Sequence, residues 1–191
     1  MELKEVIEQR RATRDYTDQP LDKSIILGLL RAAVWAPSAM NLQPWAFAVI
    51  QDKDWLKRHS DRAKVLVVNS PEFAQKRAEL KAMLADPEFN IFYNAGTLIV
   101  VWAKPVGAHP DWDCCFAAQN LMLAAHAQGL ATCPIGLAWP LFEQADVKQE
   151  LEIPENYRVV LPIIVGYPRV PAPAKERSNP TILCWRQSAK S

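Results

Sequence analysis

Glycine is scarce in this 191-residue chain. There are six, and none forms a Gly-x-Gly-x-x-Gly run, so a dinucleotide-binding Rossmann fingerprint is excluded. Cysteine is sparse too. Residues 114, 115, 133 and 184 contain no Cys-x-x-Cys pair, and His59, His109 and His126 show no metal-ligand spacing, so no zinc site is expected. The thiols are read as reduced and mostly buried, as in a cytosolic protein. Net charge is only +1, which removes any general attraction to nucleic acid or to an anionic membrane. An anion site would have to be local. The chain lacks a long uninterrupted apolar run: its densest apolar stretch, Cys114 to Ala127, is broken by Gln119, Asn120 and His126. No membrane span is expected. The opening MELKEVIEQRR mixes both signs of charge and is no signal peptide, so the expected location is cytoplasmic.

Half of the residues are apolar, enough for one domain spanning residues 1–191. Leu3, Val6 and Ile7 share a helical face, and a second helix is predicted from Asp22 to Val34, ended by Pro37. Trp45 to Ile50 reads as a buried strand with Trp45 in the core. Val65 to Val68 suggests a short strand, and helix signal returns over Glu72 to Leu84. Thr97 to Ala103 reads as an interior strand. A helix is predicted from Asp113, as N-cap, to Gln128, before Gly129. It is apolar nearly all round and should be buried on every side, possible in a small domain if it packs against its twin in a dimer. Thr132 to Gly136 is a strand end with a turn, followed by a short helix at 141–150 and a strand at Val159 to Val165. The tail, about 168–191, is rich in proline and charge yet carries Ile182, Leu183 and Trp185, which favours an arm wrapped on a neighbour. The irregular alternation of strands and helices makes the fold class α+β.

Three segments carry chemistry. Arg10, Arg11 and Arg14 lie within five residues at the end of the first helix. They are either a solvated basic helix end or a phosphate clamp, because guanidinium forks match phosphate oxygens in pairs. The run Ala36-Pro37-Ser38-Ala39-Met40-Asn41-Leu42-Gln43-Pro44-Trp45 joins a helix to a strand. Its Asn41 and Gln43 carboxamides both donate and accept, which suits the edge of a heterocycle, although a well-capped loop would look the same. Gly129 to Gly136 follows the apolar helix. Backbone amides in such a turn can donate to a ring nitrogen, or the segment is a plain strand-turn.

In order and spacing, these segments resemble the nitroreductase family of flavin enzymes. The family shows R-R-S-x-R, then A-P-S-x-x-N-x-Q-P-W, an acidic residue before A-A-Q-N-L-M-L-A-A, then G-L-x-x-C-x-I-G and P-x-x-x-x-G-Y-P. The counterparts here are Arg10 to Arg14, Ala36 to Trp45, Asp113 with Ala117 to Ala125, Gly129 to Gly136, and Pro162 to Pro168. The resemblance implies a central, mostly antiparallel four-stranded sheet flanked by helices, in an intertwined homodimer with exchange of the C-terminal arm. It implies FMN in a cleft between subunits. Arg10, Arg11, Ala12 and Arg14 would line its phosphate, ribityl and pyrimidine parts. Pro37, Ser38, Ala39, Asn41 and Gln43 of the other subunit would border the ring, while Pro134, Ile135 and Gly136 lie along it with an amide at N5. Arg177, with Lys175 as the weaker candidate, would close on the phosphate. No side chain need be catalytic, since the flavin does the chemistry.

The implied activity is ping-pong transfer of electrons from NADH or NADPH to nitroaromatics, quinones or similar small planar acceptors. A specialised relative, such as a reductive dehalogenase or a flavin-cleaving enzyme, is the alternative, with the aromatics of Ser70 to Asn94 as the discriminating region. A non-catalytic flavin-binding dimer is a third. Two departures stand out. Ala12 replaces the family's serine, removing a hydrogen bond of roughly 1 kcal/mol, and Arg177-Ser-Asn separates the late basic residue from Pro180.

Overall fold

A computed structural model describes residues 2–173 and 175–187. Its centre is a four-stranded sheet in the order β1-β2-β4-β3, all pairs antiparallel. The strands are β1 (Trp45–Ile50), β2 (Thr97–Ala103), β3 (Ala131–Pro134) and β4 (Arg158–Gly166). The helices are α1 (Leu3–Gln9), α2 (Lys23–Ala33), α3 (Lys53–Val68), α4 (Ala78–Ala85), α5 (Pro110–Ala127), α6 (Trp139–Phe142) and α7 (Ala145–Glu150). The expected α+β class and antiparallel sheet are both present.

Strand β2 is Thr-Leu-Ile-Val-Val-Trp-Ala and is buried at every position, as a β-branched run covered on both faces should be. One face of the sheet carries Ile99, Val101, Ile163 and Val165 against α2 and α5; the other carries Leu98, Val100, Trp102 and Ile164 against α3 and α6. Pro162 lies within central β4, where its missing N–H could break a ladder. Here β3 ends at Pro134, opposite Ile163, and the Pro162 carbonyl accepts from the Ile135 amide at 2.8 Å. The proline therefore marks the point where pairing stops and β3 turns away.

Four expectations are corrected. Val65 to Val68 is the last turn of α3, not a strand: Asp52 caps that helix by accepting from the Trp55 amide at 2.9 Å, and Leu56, His59, Ser60, Ala63, Lys64 and Val67 form a buried stripe of helical period that overrides local β-propensity. The helix expected over Glu72 to Leu84 divides into a 3-10 turn at Pro71–Gln75 and α4. The helix expected at 141–150 divides into α6 and α7. Helix α5 begins at Pro110, with His109 rather than Asp113 as N-cap, because proline fits the first helical turn.

Nor is α5 buried on every side of one chain: Trp112 is 61% and Phe116 50% exposed, along with Cys115 and Gln119 on the same stripe. Trp45 is core, as expected. Of the cysteines, Cys114 and Cys133 are buried but Cys115 and Cys184 are exposed. Described residues of the tail form no helix or long strand, and Ile182, Leu183 and Trp185 are exposed. Among the described residues no helix is long and apolar enough to cross a membrane.

Candidate functional site

The Arg10–Arg14 run leaves α1 in extended form and lies along the free edge of β3. Ala12 bridges Thr132, and the Thr13 amide donates to the Thr132 carbonyl at 3.1 Å. The Tyr16 hydroxyl donates to the Thr13 carbonyl at 2.8 Å from within the core, fixing the run from below. Burial pushes the Cys133 thiol pKa up, and the nearby Arg14 and Arg10 offset part of that rise. Arg10 and Arg11 both sit near His126 at the end of α5.

Among the described residues these cations have no carboxylate partner. Burial lowers the Arg10 pKa, and repulsion from Arg11 and Arg177 lowers it further. The arm thus brings Arg177 close to Arg10. Among the described residues no carboxylate lies within salt-bridge distance of Arg10, Arg11, Arg14 or Arg177, whereas Arg62, Arg158 and Arg169 are paired with Asp146, Asp111 and Asp15. Arg11 Nη1 donates to the Arg10 carbonyl at 2.9 Å, but its Nε is buried without a partner, as is His126 Nε2. Both residues line a cavity of about 600 Å³ with Arg10, Thr13 and Thr132. Arg10 and Arg11 at this cavity, with Arg177 near Arg10, make a site for an anion with several oxygens.

Beyond β3 the chain turns through Ile135 into a 3-10 turn at Gly136–Ala138. The Ile135 side chain is buried in the core and its amide is already used by Pro162, so only its backbone borders the surface. Among the described residues the Gly136 amide donates to nothing, and a Cβ at Gly136 would meet open space. Arg14 lies over the Tyr93 ring at 5.8 Å, beside two residues of positive φ, Tyr93 and Asn94. Phe92 is wholly core, and Phe73 and Phe89 pack against it. Lys175 is exposed.

The second segment, 37–43, is elsewhere. It is a 3-10 turn at Ala39–Asn41 with Met40, Asn41 and Gln43 in the left-handed region, at φ of +50°, +56° and +48°. That conformation costs a non-glycine residue on the order of 1 kcal/mol. Five hydrogen bonds hold it: the Asn41 amide to the Ser38 carbonyl and the Leu42 amide to the Ala39 carbonyl, each 3.0 Å, and the Gln43 amide to Ser38 Oγ, Gln43 Nε2 to Asn41 Oδ1 and the Ala39 amide to Asp113 Oδ2, each 3.1 Å. Pro37, Ala39, Asn41 and Gln43 are exposed and Ser38 is half-buried.

The sheet separates the two halves. Residues 37–43 lead into β1 at one edge, while the arginine run flanks β3 beyond the other, four inter-strand steps or about 19 Å away. Along the strands they are offset as well. Trp45 is level with Ala103, whereas Thr132 is level with Val165 and hence with Thr97, about 20 Å along β2. One chain therefore brings Arg10, Arg11, Ala12, Arg14, Pro134, Gly136 and Arg177 to one edge and leaves Pro37 to Gln43 at the far corner.

Sequence reasoning missed the Asp113–Ala39 contact, the Arg14–Tyr93 pair and His126. Only the first had a signal, the acidic position in the α5 motif. Among the described residues no cluster of three His, Cys, Asp or Glu could hold a metal ion.

A model described as the nitroreductase family matches residues 7–167. An Archaeoglobus fulgidus protein, provisionally named NADH dehydrogenase/NAD(P)H nitroreductase, is 33% identical over 174 residues, 88% of this chain and 86% of that protein. An iodotyrosine deiodinase of Thermotoga neapolitana is 25% identical over 184 residues, 93% of this chain and 94% of its own. The crystal structure of a nitroreductase with bound FMN from Bacteroides fragilis superimposes with a TM-score of 0.82 at 25% identity, covering 98% of this chain and 100% of that one.

Proposed function

The chain belongs to the nitroreductase family and is an oxidoreductase; from that premise we propose that it holds FMN between the subunits of a homodimer and reduces small planar acceptors, nitroaromatics or quinones, with NADH or NADPH. The observation that carries this is a set of four arginines that, among the described residues, have no carboxylate partner, beside a turn whose Gly136 amide has no acceptor there. A phosphate needs such cations, and a ring nitrogen needs such a donor. Bound FMN in the Bacteroides fragilis relative supports the same reading.

In this reading Arg10, Arg11 and Arg177 grip the phosphate, with Ala12 beside the ribityl chain and Arg14 at the pyrimidine edge. Pro134, the Ile135 backbone and Gly136 lie along the ring, and the Gly136 amide points to N5. The Ile135 amide, held by Pro162, is not that donor. Pro37, Ser38, Ala39, Asn41 and Gln43 come from the second subunit, since their own arginine run is across the sheet. The exposed α5 stripe of Trp112 and Phe116 forms part of the subunit interface. The arm from about 168 wraps the partner, with Ile182, Leu183 and Trp185 as anchors.

The chemistry supplied by bound flavin is acceptance of hydride from the nicotinamide and delivery of electrons to the acceptor in a second half-reaction. The protein's residues bind, orient and supply charge, and no side chain acts as acid, base or nucleophile. The reading includes a cytoplasmic location and one domain over residues 1–191.

Steady-state kinetics with varied nicotinamide and varied nitroaromatic or quinone test it: parallel double-reciprocal lines are expected, and absence of turnover on every acceptor contradicts it. The deiodinase relative favours one second reading, reductive dehalogenation. Halide release from a halogenated phenol at a rate exceeding nitro or quinone reduction would establish that reading instead.

A further inference from the structure

The proposed FMN site is completed by a loop in a costly conformation, and the hydrogen bond that tethers this loop to the body comes from a residue distant in sequence, on α5. Asp113 is buried, in the first turn of α5, 74 positions from Ala39 in sequence. A buried carboxylate needs a hydrogen-bond donor. The donor here is the Ala39 amide, at 3.1 Å from Oδ2. The other four bonds of the turn are internal to it: the Asn41 amide to Ser38, the Leu42 amide to Ala39, the Gln43 amide to Ser38 and the Gln43 side chain to Asn41. They fix its shape but not its place. Helices α2 and α5 pack together and bring the loop's base near α5, with Asn120 Nδ2 donating to the Ala32 carbonyl at 3.4 Å. Between buried Ala36 and buried Pro44, Leu42 packs beside Gly107, and Asp113 supplies the one hydrogen bond among the described residues that ties 37–43 to the body.

Resting on the reading above, we propose that Asp113 is a positioning residue for the flavin of the other subunit. Its carboxylate holds the Ala39 amide, and that bond keeps the left-handed Met40-Asn41 turn poised to present Asn41 and Gln43 across the dimer interface. Asp113 itself does not touch the reacting atoms. What matters is an acceptor oxygen at that point, not a negative charge, so asparagine should serve and alanine should not.

The test compares wild type with Asp113→Ala, Asp113→Asn and Ala39→Pro. The last removes the donor while keeping Asp113, and Ser38 at ψ +148° is already extended as a residue before proline must be. Amide hydrogen exchange over residues 37–43 in the apo-protein and FMN dissociation constants by fluorescence quenching are measured on each. Asp113→Ala and Ala39→Pro should speed exchange in the loop at least tenfold, with β2 and α5 unchanged, and weaken FMN tenfold or more. Asp113→Asn should stay within threefold of wild type in both. Wild-type exchange rates in Asp113→Ala and Ala39→Pro overturn the inference, as does FMN bound equally tightly by Asp113→Ala and Asp113→Asn. Wild type that takes up no FMN instead defeats the proposed function, and the exchange data still decide whether Asp113 positions the loop.

Discussion

The claim that each site is shared between subunits can be tested by complementation. Consider one variant damaged in the arginine half, Arg14→Ala, and another damaged in the loop half, Asn41→Ala with Gln43→Ala. Each homodimer carries the same defect in both sites. Loss of hydrogen bonds to a charged or buried partner is worth about 1.5–3 kcal/mol, a fall in FMN affinity of roughly 10- to 150-fold. A heterodimer, isolated with two different affinity tags, separates the possibilities. If residues 37–43 serve the opposite subunit, one site collects both defects and the other collects none. The heterodimer should then bind one FMN per dimer with wild-type affinity and show half of wild-type turnover. If both halves serve the same chain, every site keeps one defect, and the heterodimer shows only the average of its parents. The geometry favours the first outcome, because about 19 Å across the sheet and about 20 Å along the strands separate the halves within one chain. A heterodimer without any wild-type site would refute that reasoning.

Arg10→Ala should raise the FMN dissociation constant roughly 10- to 100-fold by titration calorimetry, and should not lower the apo-protein's unfolding midpoint, because it relieves repulsion with Arg11 and Arg177; a clear loss of apo stability would count against the cluster lacking a carboxylate partner. Ala12→Ser should tighten FMN by about 1 kcal/mol, roughly fivefold, since it restores a hydroxyl beside the cofactor, and unchanged or weaker binding would show that the site does not use it. His126 is held below its ordinary pKa, chiefly by burial and then by Arg10 and Arg11. The folded state thus disfavours the charged ring, so this stabilising contribution is complete above the unfolded value near 6.5 and is lost as pH falls toward the lower folded value. The unfolding midpoint should therefore decline less between pH 7 and 5 in His126→Gln than in wild type, and an equal decline would remove His126 from the account.

Much of this arrangement is written locally. Strands β1, β2 and β4 stand out as β-branched apolar runs, and α2 keeps a helical apolar period, so neighbours in sequence decide them. Val65 to Val68 misleads because its identity as helix is set by the Asp52 cap and by the core beneath α3, neither of which lies inside the window. The arginine cluster is legible because its members are adjacent. Arg177 is less so, since its nearness to Arg10 depends on the course of the arm. Asp113 looks like a helix cap in the sequence. Pro110 starts the helix earlier and frees Asp113 to bind Ala39, a pairing that no local pattern encodes. The burial of Ile135 has the same origin: its amide and side chain are claimed by β4 and the core, leaving Gly136 as the donor.

The central claim, flavin-mediated electron transfer, is tested most directly by an anaerobic titration of the purified protein. The account predicts uptake of one FMN per chain, bleaching of the flavin absorbance by stoichiometric NADH or NADPH, and its return on adding a nitroaromatic or a quinone. A protein that remains colourless after incubation with FMN, or whose bound flavin is bleached by neither nicotinamide, would contradict it.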